Sequence, residues 1–446
     1  MNQAASREPA ERVPGGSTTV LVLGATGLIG AHVAAALAAE GHRVRGVARD
    51  VGRASRAMPT ISWMRFDIAH ADAAEAAAAL QDVDVVVNCA GALQTGPRDS
   101  LALVHEGGLA TLVAACERAG VRRFIHFSAM GVDRATPTEF SRTKHAGDAL
   151  LMASSLDWVV LRPSVVLGPA AYGASALIRG LAALPILPVM PATAQLQPVA
   201  LEDVVATVVF LVGSPAPLGI ALELAGPDRL EFTGLVRLFR AWLGAPPALE
   251  IRLAEPVANV LYRLGDAAGR LGWRPPVRTT AKLEIARGAT GSPSEWRRLT
   301  GIQARSMATM LTARPASVQE RWFAGLYLLK PVLLVSLVIF WIGSGLASLG
   351  PGYGTGVALM KMGNAGEWAP LAVIGGGLAD LLVGIGICIR RYAGAALSAG
   401  IIVALAYALA GSVLTPWLWL DPLAPLLKIA PVTALHLVAL ATLRDR

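Results

Sequence analysis

Short apolar runs alternate with longer alanine-rich stretches along the chain up to about residue 210. Such runs, each flanked by a helical pattern, are typical of strands buried on both faces of a parallel sheet. The pattern predicts strands at 20–23, 44–48, 62–66, 83–88, 124–128 and 158–162, and helices at 30–40, 72–81, 101–119 and 140–154. This alternation predicts an α/β fold with a doubly wound parallel sheet over residues 19–230.

The pattern changes near residue 322, where long apolar stretches begin at 323–349, 368–389, 392–414 and 426–443. About 20 helical residues cross a hydrocarbon core of roughly 30 Å, so each stretch is long enough to span a membrane. Residues 322–446 are therefore predicted to form an all-α four-helix transmembrane bundle.

Two segments fit neither pattern. Residues 1–18 are polar and are predicted to be a disordered N-terminus without the apolar run of a signal peptide. Residues 231–321 alternate short helical patterns with proline pairs and are predicted to be a basic helical cap or linker. Within it, 257–273 has amphipathic spacing, and we expect its apolar residues to pack on the sheet domain, namely Leu261, Leu264 and Leu271.

Charge and composition narrow the classes of function. The chain has 446 residues, 54% of them hydrophobic, and a net charge of +8. Fifteen basic and seven acidic residues lie between Arg229 and Arg321, so the net charge of this stretch equals that of the whole chain. Its place before the first apolar span suits anionic lipid headgroups, and no aromatic-interleaved basic motif favours nucleic acid. The three cysteines, Cys89, Cys116 and Cys388, have no paired spacing, so we expect neither disulfides nor a metal site.

Basic residues flank the apolar spans unevenly. One side carries Arg314, Arg321, Arg390, Arg391, Arg444 and Arg446, whereas the other carries Lys361 and Lys428. Because positive charge marks the cytoplasmic side, we expect a multi-pass protein of the inner membrane. Both termini and the sheet domain are then predicted to be cytoplasmic.

A glycine-spaced turn follows the first predicted strand, in the segment Gly24-Ala-Thr-Gly27-Leu-Ile-Gly30. Between a buried strand and a helix, such glycines permit a tight turn, close approach to a pyrophosphate, and helix packing. The predicted dinucleotide contacts here are Gly24, Thr26, Gly27, Leu28, Ile29 and Gly30.

The glycine spacing resembles the extended and atypical short-chain dehydrogenases, including the nucleotide-binding accessory subunit of respiratory complex I. Asn88-Cys-Ala90-Gly91 is similar to that superfamily's cofactor-lining turn, and Ser128 to its active-site serine. The segment 161–169, with Pro163, is similar to its strand and loop beyond the nicotinamide. The resemblance implies an NAD(P)-binding Rossmann domain with contacts at Ala90, Gly91 and Pro163, and at Asp67 and Ile68 beside the adenine.

Arg49 stands at the predicted tip of the second strand, where NAD-binding sites place an acidic residue. A guanidinium suits a 2′-phosphate, so NADP(H) is favoured over NAD(H), although Asp50 lies one residue away.

Active members of this superfamily use a Tyr-x-x-x-Lys pair, in which the phenol transfers the proton. Here the segment reads Phe140-Ser-Arg-Thr-Lys144, so the lysine is present and the phenol is missing. The resemblance leaves Ser128 and Lys144 as catalytic candidates, and it also implies that Lys144 contacts the cofactor ribose. His105 and Ser141 are weaker candidate proton donors, and Asp203 is expected to cap a helix.

The apolar region resembles the DoxX-like four-helix membrane family. Asp380 and His436 fall midway through the second and fourth predicted spans, where ionisable groups are costly and face the bundle interior. They form a candidate polar site for a quinone head or a proton, against the alternative of an internal pair that fixes helix packing.

Three functions remain open at this stage. The first is an NAD(P)H-dependent oxidoreductase acting near the membrane, with a quinone or another lipophilic molecule as acceptor. The second is a non-catalytic nucleotide-binding protein for structure, sensing or assembly, and the third is a lipid or isoprenoid reductase or isomerase. Protein partners are not specified by the sequence.

Overall fold

The computed structural model describes residues 17–96, 100–214, 218–363 and 365–443. The predicted disordered segment 1–18 therefore lies outside it except for its last two residues, as do Arg444 and Arg446. The described chain divides into two compact units. The first contains residues up to Ile178, Ile186–Tyr262 and Val277–Ala316, and the second contains Arg179–Pro185, Arg263–Pro276 and the chain from Ser317 onward. Each predicted domain was one continuous stretch, whereas both units are discontinuous.

The first unit is built on a seven-stranded parallel sheet. Its strands are β1 (Thr19–Leu23), β2 (Arg43–Ala48), β3 (Ser62–Arg65), β4 (Val85–Asn88), β5 (Arg123–Phe127), β6 (Trp158–Pro163) and, not predicted, β10 (Ile220–Leu224). The sheet order is β10-β6-β5-β4-β1-β2-β3, with every pair parallel. The chain runs outward from β1 to β3 and then returns to β4, so the order reverses between β1 and β4. Open α/β sheets bind ligands at this switch point.

Helices cover both faces of the sheet, which confirms the predicted doubly wound fold. They are α1 (Leu28–Ala39), α2 (Val51–Ala57), α3 (Ala73–Ala79), α4 (Gly108–Ala119), α5 (Glu139–Met152) and α7 (Leu201–Gly213). One apolar core joins α1 and α7 to the sheet through residues such as Val33, Leu37 and Val208. The other joins α3, α4 and α5 to the opposite face, through Ala76, Leu112 and Leu151. Both cores exclude water along the full length of β1.

Shorter elements complete the chain before the apolar helices. They are β7 (Val166–Leu167), α6 (Ala174–Ala182), β8 (Ile186–Val189), β9 (Val199–Ala200), α8 (Phe232–Trp242), β11 (Leu249–Arg252), α9 (Glu255–Arg270), α10 (Thr279–Arg287), α11 (Ser294–Thr300) and α12 (Met307–Thr312). Trp296 of α11 lies in the first sheet core and donates to Thr207 Oγ1 at 2.8 Å. Part of the predicted linker therefore completes the sheet domain.

The expected packing of segment 257–273 is wrong. Leu261, Leu264 and Leu271 are all exposed, Leu264 by 61%, and the buried residues of α9 are Ala258, Tyr262 and Gly269 instead. The periodicity identified an apolar stripe correctly, but α9 packs on the protein through a different face and leaves its leucines exposed.

The second unit contains the apolar helices. They are α13 (Val318–Tyr327), α14 (Leu329–Leu349), α15 (Tyr353–Met362), α16 (Ala369–Cys388), α17 (Ala393–Leu414) and α18 (Ile429–Thr442). Three helices are long and apolar enough to cross a membrane, namely α14, α16 with the turn before it, and α17. The fourth predicted span is shorter than expected, because α18 has only 14 residues.

Helices α14, α16, α17 and α18 form a bundle. Helix α14 packs on α16 and α18, and α17 packs on the same two. Lys330 Nζ at the start of α14 donates to the Thr442 carbonyl at 2.6 Å, and Arg390 after α16 donates to the Leu443 carbonyl at 3.0 Å. The start of α14, the end of α16 and the end of α18 therefore meet at one end of the bundle.

Candidate cofactor and active site

The turn after β1 depends on Gly24. Its φ is +68°, and a Cβ there would lie 2.7 Å from the backbone carbonyl of Cys89. A side chain at this position would therefore meet both backbone strain and the neighbouring β4 turn. Gly30 is as tightly constrained, since a Cβ there would lie 2.3 Å from the Gly24 carbonyl oxygen. The glycines thus hold helix and strand together as the sequence predicted.

Helix α1 begins at this turn with Gly27 as its N-terminal cap, and no side chain caps it. The first-turn amides of Leu28, Ile29 and Gly30 are therefore not bound by a capping side chain, and they carry the positive end of the helix dipole. Thr26 is exposed beside them. A pyrophosphate fits such a helix end.

At the tip of β2, Arg49 and Asp50 are both exposed. Asp50 caps α2, because its carboxylate accepts from the Arg53 amide at 3.0 Å. Asp50 is the acidic residue that left NAD(H) as an alternative cofactor in the sequence analysis. In the structure its carboxylate is engaged in capping α2.

Asp67 and Ile68 follow β3. The Asp67 carboxylate accepts from the Ala69 amide at 3.2 Å, which makes it a turn residue as well as a candidate adenine contact. Ile68 is buried, and its carbonyl sits so close to Gly108 that a Cβ there would lie 1.8 Å away. The turn is thereby fixed against the start of α4.

The turn after β4 is organised by Asn88, which is buried. Its Oδ1 accepts from the Ala90 amide at 3.0 Å, and its Nδ2 lies 3.2 Å from His126 Nδ1 on the neighbouring strand. Gly91 comes next, and a Cβ there would lie 3.3 Å from Lys144 Nζ and 3.4 Å from His105 Nε2. The structure therefore brings two of the candidate groups to Gly91.

Lys144 is buried on α5, and its Nζ donates to the Phe127 carbonyl at 2.7 Å. Burial lowers the pKa of this ammonium group to about 8, against the opposing pull of Asp148. Asp148 lies one helical turn further along, bound by Arg162 at 3.1 Å. Burial raises the pKa of the Asp148 carboxyl, while Ser128 and Arg162 act to lower it. Ser128, Lys144 and Asp148 thus form one buried cluster.

Sequence reasoning missed Asp148, and a signal for it was present. It follows Lys144 by four residues, so both side chains lie on one face of α5. His126, whose Nε2 is 3.8 Å from Asp148 Oδ1, was missed as well. Burial holds the pKa of His126 well below its usual value, so this imidazole is neutral.

His105 lies in a five-residue π-helix, Leu103–Gly107, that precedes α4. Thr143 donates its hydroxyl proton to the Phe140 carbonyl at 3.2 Å, so we assign His105 Nδ1 as the donor to Thr143 Oγ1 at 2.9 Å. Nε2 is then a lone-pair acceptor, buried and without a hydrogen-bond partner among the described residues. Burial and Lys144 lower the pKa of His105 to about 2. A neutral acceptor of this kind can bind a hydroxyl group, but it is not a general acid.

Phe140 takes the position of the missing phenol on α5, and its ring meets the His105 ring edge-on at 5.9 Å between centroids. The neighbouring candidate Ser141 is fully buried in the capping box that begins α5, where its hydroxyl accepts from the Thr138 amide at 3.2 Å. Ser141 is therefore committed to the helix start.

The remaining candidates lie at the carboxyl end of β6 and beyond. Pro163 is buried, and its carbonyl accepts from the Met130 amide at 3.0 Å. The expectation for Asp203 is wrong, because Ala200 caps α7 without a side-chain bond. The buried Asp203 carboxylate instead binds Arg305, with Oδ1 2.7 Å and 2.9 Å from two guanidinium nitrogens. Its role is to join α7 to the segment before α12.

Two family matches agree with this geometry. Residues 24–179 match a family described as NAD(P)H-binding, and residues 338–437 match the DoxX-like family. The chain joins an NAD(P)H-binding domain to a DoxX-like domain. Both parts of the resemblance drawn from the sequence motifs are thereby confirmed.

Two curated relatives match half or more of this chain. Ceramide reductase of Caulobacter vibrioides is 27% identical over 259 residues, which cover 58% of this chain and 80% of that protein. The mitochondrial subunit 9 of the NADH dehydrogenase [ubiquinone] 1 alpha subcomplex, from Dictyostelium discoideum, is 23% identical and is covered over 65% of its length, matching 50% of this chain.

Among solved structures, the UDP-glucuronic acid 4-epimerase of Bacillus cereus, in complex with UDP-glucuronic acid and NAD, has a TM-score of 0.51 and 18% identity. The match covers 69% of this chain and 99% of the epimerase. At this identity the likeness shows the shared fold alone.

In the DoxX-like domain, Asp380 and His436 are both buried, each with its own partners. Asp380 accepts from Ser344 at 2.6 Å and from Tyr407 at 2.7 Å. His436 Nε2 accepts from Trp341 at 2.9 Å, and Nδ1 donates to the Val432 carbonyl at 2.7 Å. Each residue ties its helix to α14, and no hydrogen bond joins the two among the described residues.

Proposed function

We propose that this protein is a membrane-anchored, NADPH-dependent reductase whose substrate is a carbonyl-bearing lipid held in the bilayer. The observation that carries the proposal is Lys144 beside Gly91, in a buried cluster with Ser128 and Asp148, in a chain that also carries helices long and apolar enough to span a membrane. The likeness to ceramide reductase supports a lipid as substrate.

The site fits the nicotinamide cofactor. The glycine turn leaves space that a Cβ would fill, and His105 Nε2 is a buried acceptor beside Gly91 that suits a ribose hydroxyl. When bound, the reduced cofactor supplies a hydride to the carbonyl carbon.

The chain's own groups would supply the rest of the reaction. The Lys144 ammonium group, with a pKa of about 8, is protonated at neutral pH and is the group we propose donates the proton to the carbonyl oxygen. Ser128 would orient that oxygen with a hydrogen bond. Asp148 would keep Lys144 charged before the transfer, and water would return the proton afterwards.

We propose NADPH as the preferred cofactor, because Asp50 is committed to capping α2 while Arg49 stands exposed at the strand tip. We also propose that the protein lies in the inner membrane with the NAD(P)H-binding domain in the cytoplasm. Its support is the run of basic residues at one end of the helical bundle.

The test uses the full chain purified in detergent. Calorimetry compares NADPH with NADH, and NADPH absorbance is then followed with a long-chain keto-lipid in micelles and, separately, with a short-chain quinone. We expect oxidation with the keto-lipid and a large loss in Lys144→Met. Oxidation with the quinone alone would replace the lipid proposal with a quinone reductase.

A second function is favoured by Phe140 alone. A phenyl ring transfers no proton, so the chain would bind NADPH for structure or sensing without turning it over. Tight NADPH binding with no oxidation by either acceptor, and no gain of activity in Phe140→Tyr, would support this function over reduction.

A further inference from the structure

Helix α9 presents an unusual outer face. Val257, Val260, Leu261 and Leu264 are all exposed, Val260 by 55%, and their spacing of three and four residues places them in one stripe. A contiguous exposed apolar stripe of this kind marks a binding surface in soluble and membrane proteins alike.

The stripe is not a misplaced core face. Ala258 and Tyr262 on the opposite side of α9 are buried, so the helix is already packed on the protein through that side. Leu249 and Ile251 of β11, just before α9, are exposed as well. One face of α9 is thus buried against the protein, whereas a second, apolar face stays exposed.

The end of α9 is fixed at the end of a membrane-spanning helix. Leu271, one residue after α9, accepts at its carbonyl from the Arg390 amide at 3.0 Å. The indole of Trp273 donates to the carbonyl of Cys388, the last residue of α16, at 2.7 Å. The Arg390 guanidinium lies 5.5 Å from the Trp273 ring centre. Tryptophan and arginine at the end of a spanning helix lie at the headgroup level of a bilayer.

Charge completes the arrangement. Arg263 and Arg270 are exposed on α9 and, at 3.6 residues per turn, both fall along the same border of the apolar stripe. An apolar stripe with arginines at its border is the pattern of a helix lying in the plane of a membrane surface, with the arginines on anionic headgroups.

We propose that α9 lies in the headgroup region of the bilayer and buries Val257, Val260, Leu261 and Leu264 at the boundary with the acyl chains. The occupant of this surface is therefore lipid. The interaction is separate from the spanning helices and from the cofactor site, and it stands whether or not the protein is a reductase.

The first test places a nitroxide spin label on the full chain in nanodiscs that contain phosphatidylglycerol. Val260→Cys and Leu264→Cys are compared with Glu40→Cys, an exposed position after α1, in a background that carries Cys89→Ala, Cys116→Ala and Cys388→Ala. At 260 and 264 we expect a several-fold higher ratio of oxygen to nickel-chelate accessibility than at 40, and a depth of about 5–10 Å.

A ratio equal to that at position 40 would place the stripe in water and overturn the proposal. Low accessibility to both reagents would mean protein contact, by a second copy or a partner, and would overturn it too. Should the cysteine-free background not fold, benzoylphenylalanine at 260 and 264 in the native background answers the same question. Phospholipid adducts on irradiation are expected there and not at 40, whereas crosslinks between chains would contradict the proposal.

Discussion

At the scale of single residues, the site depends on a lysine that is buried and yet charged. Burial disfavours the ammonium group, and Asp148 one helical turn away partly offsets that cost. The result is a pKa of about 8, close to the working pH of a proton donor. His105 and His126, buried nearby, stay neutral because of burial and of this same charge.

If Lys144 holds the cofactor ribose, as the resemblance implies, Lys144→Met should weaken NADPH binding at neutral pH by roughly tenfold or more, because one charge-assisted hydrogen bond is lost. In the parent chain, affinity should fall as pH rises through about 8, because the folded protein loses the charge there. In Lys144→Met that dependence should vanish. Calorimetry across this range measures both effects, and an unchanged pH profile in the variant would contradict the assignment.

The lowered pKa of Lys144 also makes the stability of the fold depend on pH. The folded-state pKa of about 8 is depressed below the ordinary 10.5, so between these values the unfolded chain binds more protons than the folded one. The contribution of Lys144 to the free energy of unfolding therefore rises with pH across that window.

Arg49 should decide the choice between cofactors. Arg49→Ala should weaken NADPH binding by roughly tenfold to a hundredfold, since charge-assisted hydrogen bonds to a phosphate are lost, and should leave NADH binding nearly unchanged. Arg43→Ala, on an exposed arginine at the opposite end of β2, is the matched control. An equal loss for both cofactors in Arg49→Ala would argue against a 2′-phosphate contact.

At the scale of elements, the glycine turn shows why its motif was readable from the sequence. The Gly24 position needs a positive φ and has no room for a Cβ, so only glycine satisfies it. Strands β1 to β6 were predictable for a similar reason, since strands buried on both faces leave uninterrupted apolar runs. The half-exposed edge strand β10 leaves no such run, and it was missed.

Gly24→Ala should destabilise the NAD(P)H-binding domain by about 3 kcal/mol or more, combining backbone strain with overpacking. Gly41→Ala is the matched control, because Gly41 also has a positive φ (+87°) but a Cβ there meets nothing within 4 Å. It should cost only about 1 kcal/mol. The measurement is the thermal transition that NADPH raises, and equal shifts in the two variants would contradict the close approach to Cys89.

In the bundle, the hydrogen bonds of Asp380 favour packing over a ligand site. Ser344→Ala removes a donor to Asp380 and should lower bundle stability by about 0.5–2 kcal/mol. Ser398→Ala, whose hydroxyl bonds only the Gly394 carbonyl of its own helix, is the control and should have little effect. NADPH binding should be unchanged in both. Normal folding in Asp380→Asn with loss of quinone-linked activity alone would restore the site hypothesis.

At the scale of the whole molecule, periodicity could not say which elements come together. The stretch 231–321 looked like a linker because its helices are short and interrupted by prolines, yet Trp296 fills the sheet core and Arg305 binds Asp203. The sequence could not predict which face of α9 is buried either, since an apolar stripe has the same spacing whether it faces protein or lipid. Only the contacts of Ala258 and Tyr262 distinguish the two cases.

The ends of the bundle predict how the chain crosses the membrane. Lys330 and Arg390 bind the carbonyls of Thr442 and Leu443, so α14 starts where α16 and α18 end, and the four helices alternate in direction. The end that holds Arg390 and Arg391 carries the greater positive charge and should face the cytoplasm. Lys361 and Lys428, in the two connections at the other end, should face outward.

Cysteine labelling with a membrane-impermeant maleimide in intact spheroplasts tests this arrangement. Lys361→Cys and Lys428→Cys, both exposed positions, should react from outside, whereas Arg391→Cys and Glu40→Cys should react only after permeabilisation. Position 428 precedes α18 and should lie outside whether or not α18 crosses, so Arg446→Cys tests the fourth crossing by this helix of only 14 residues: it should react only after permeabilisation. Reaction at 446 from outside, with 361 and 428 also labelled there, would mean three crossings, whereas reaction at 428 only after permeabilisation would mean that α17 does not cross.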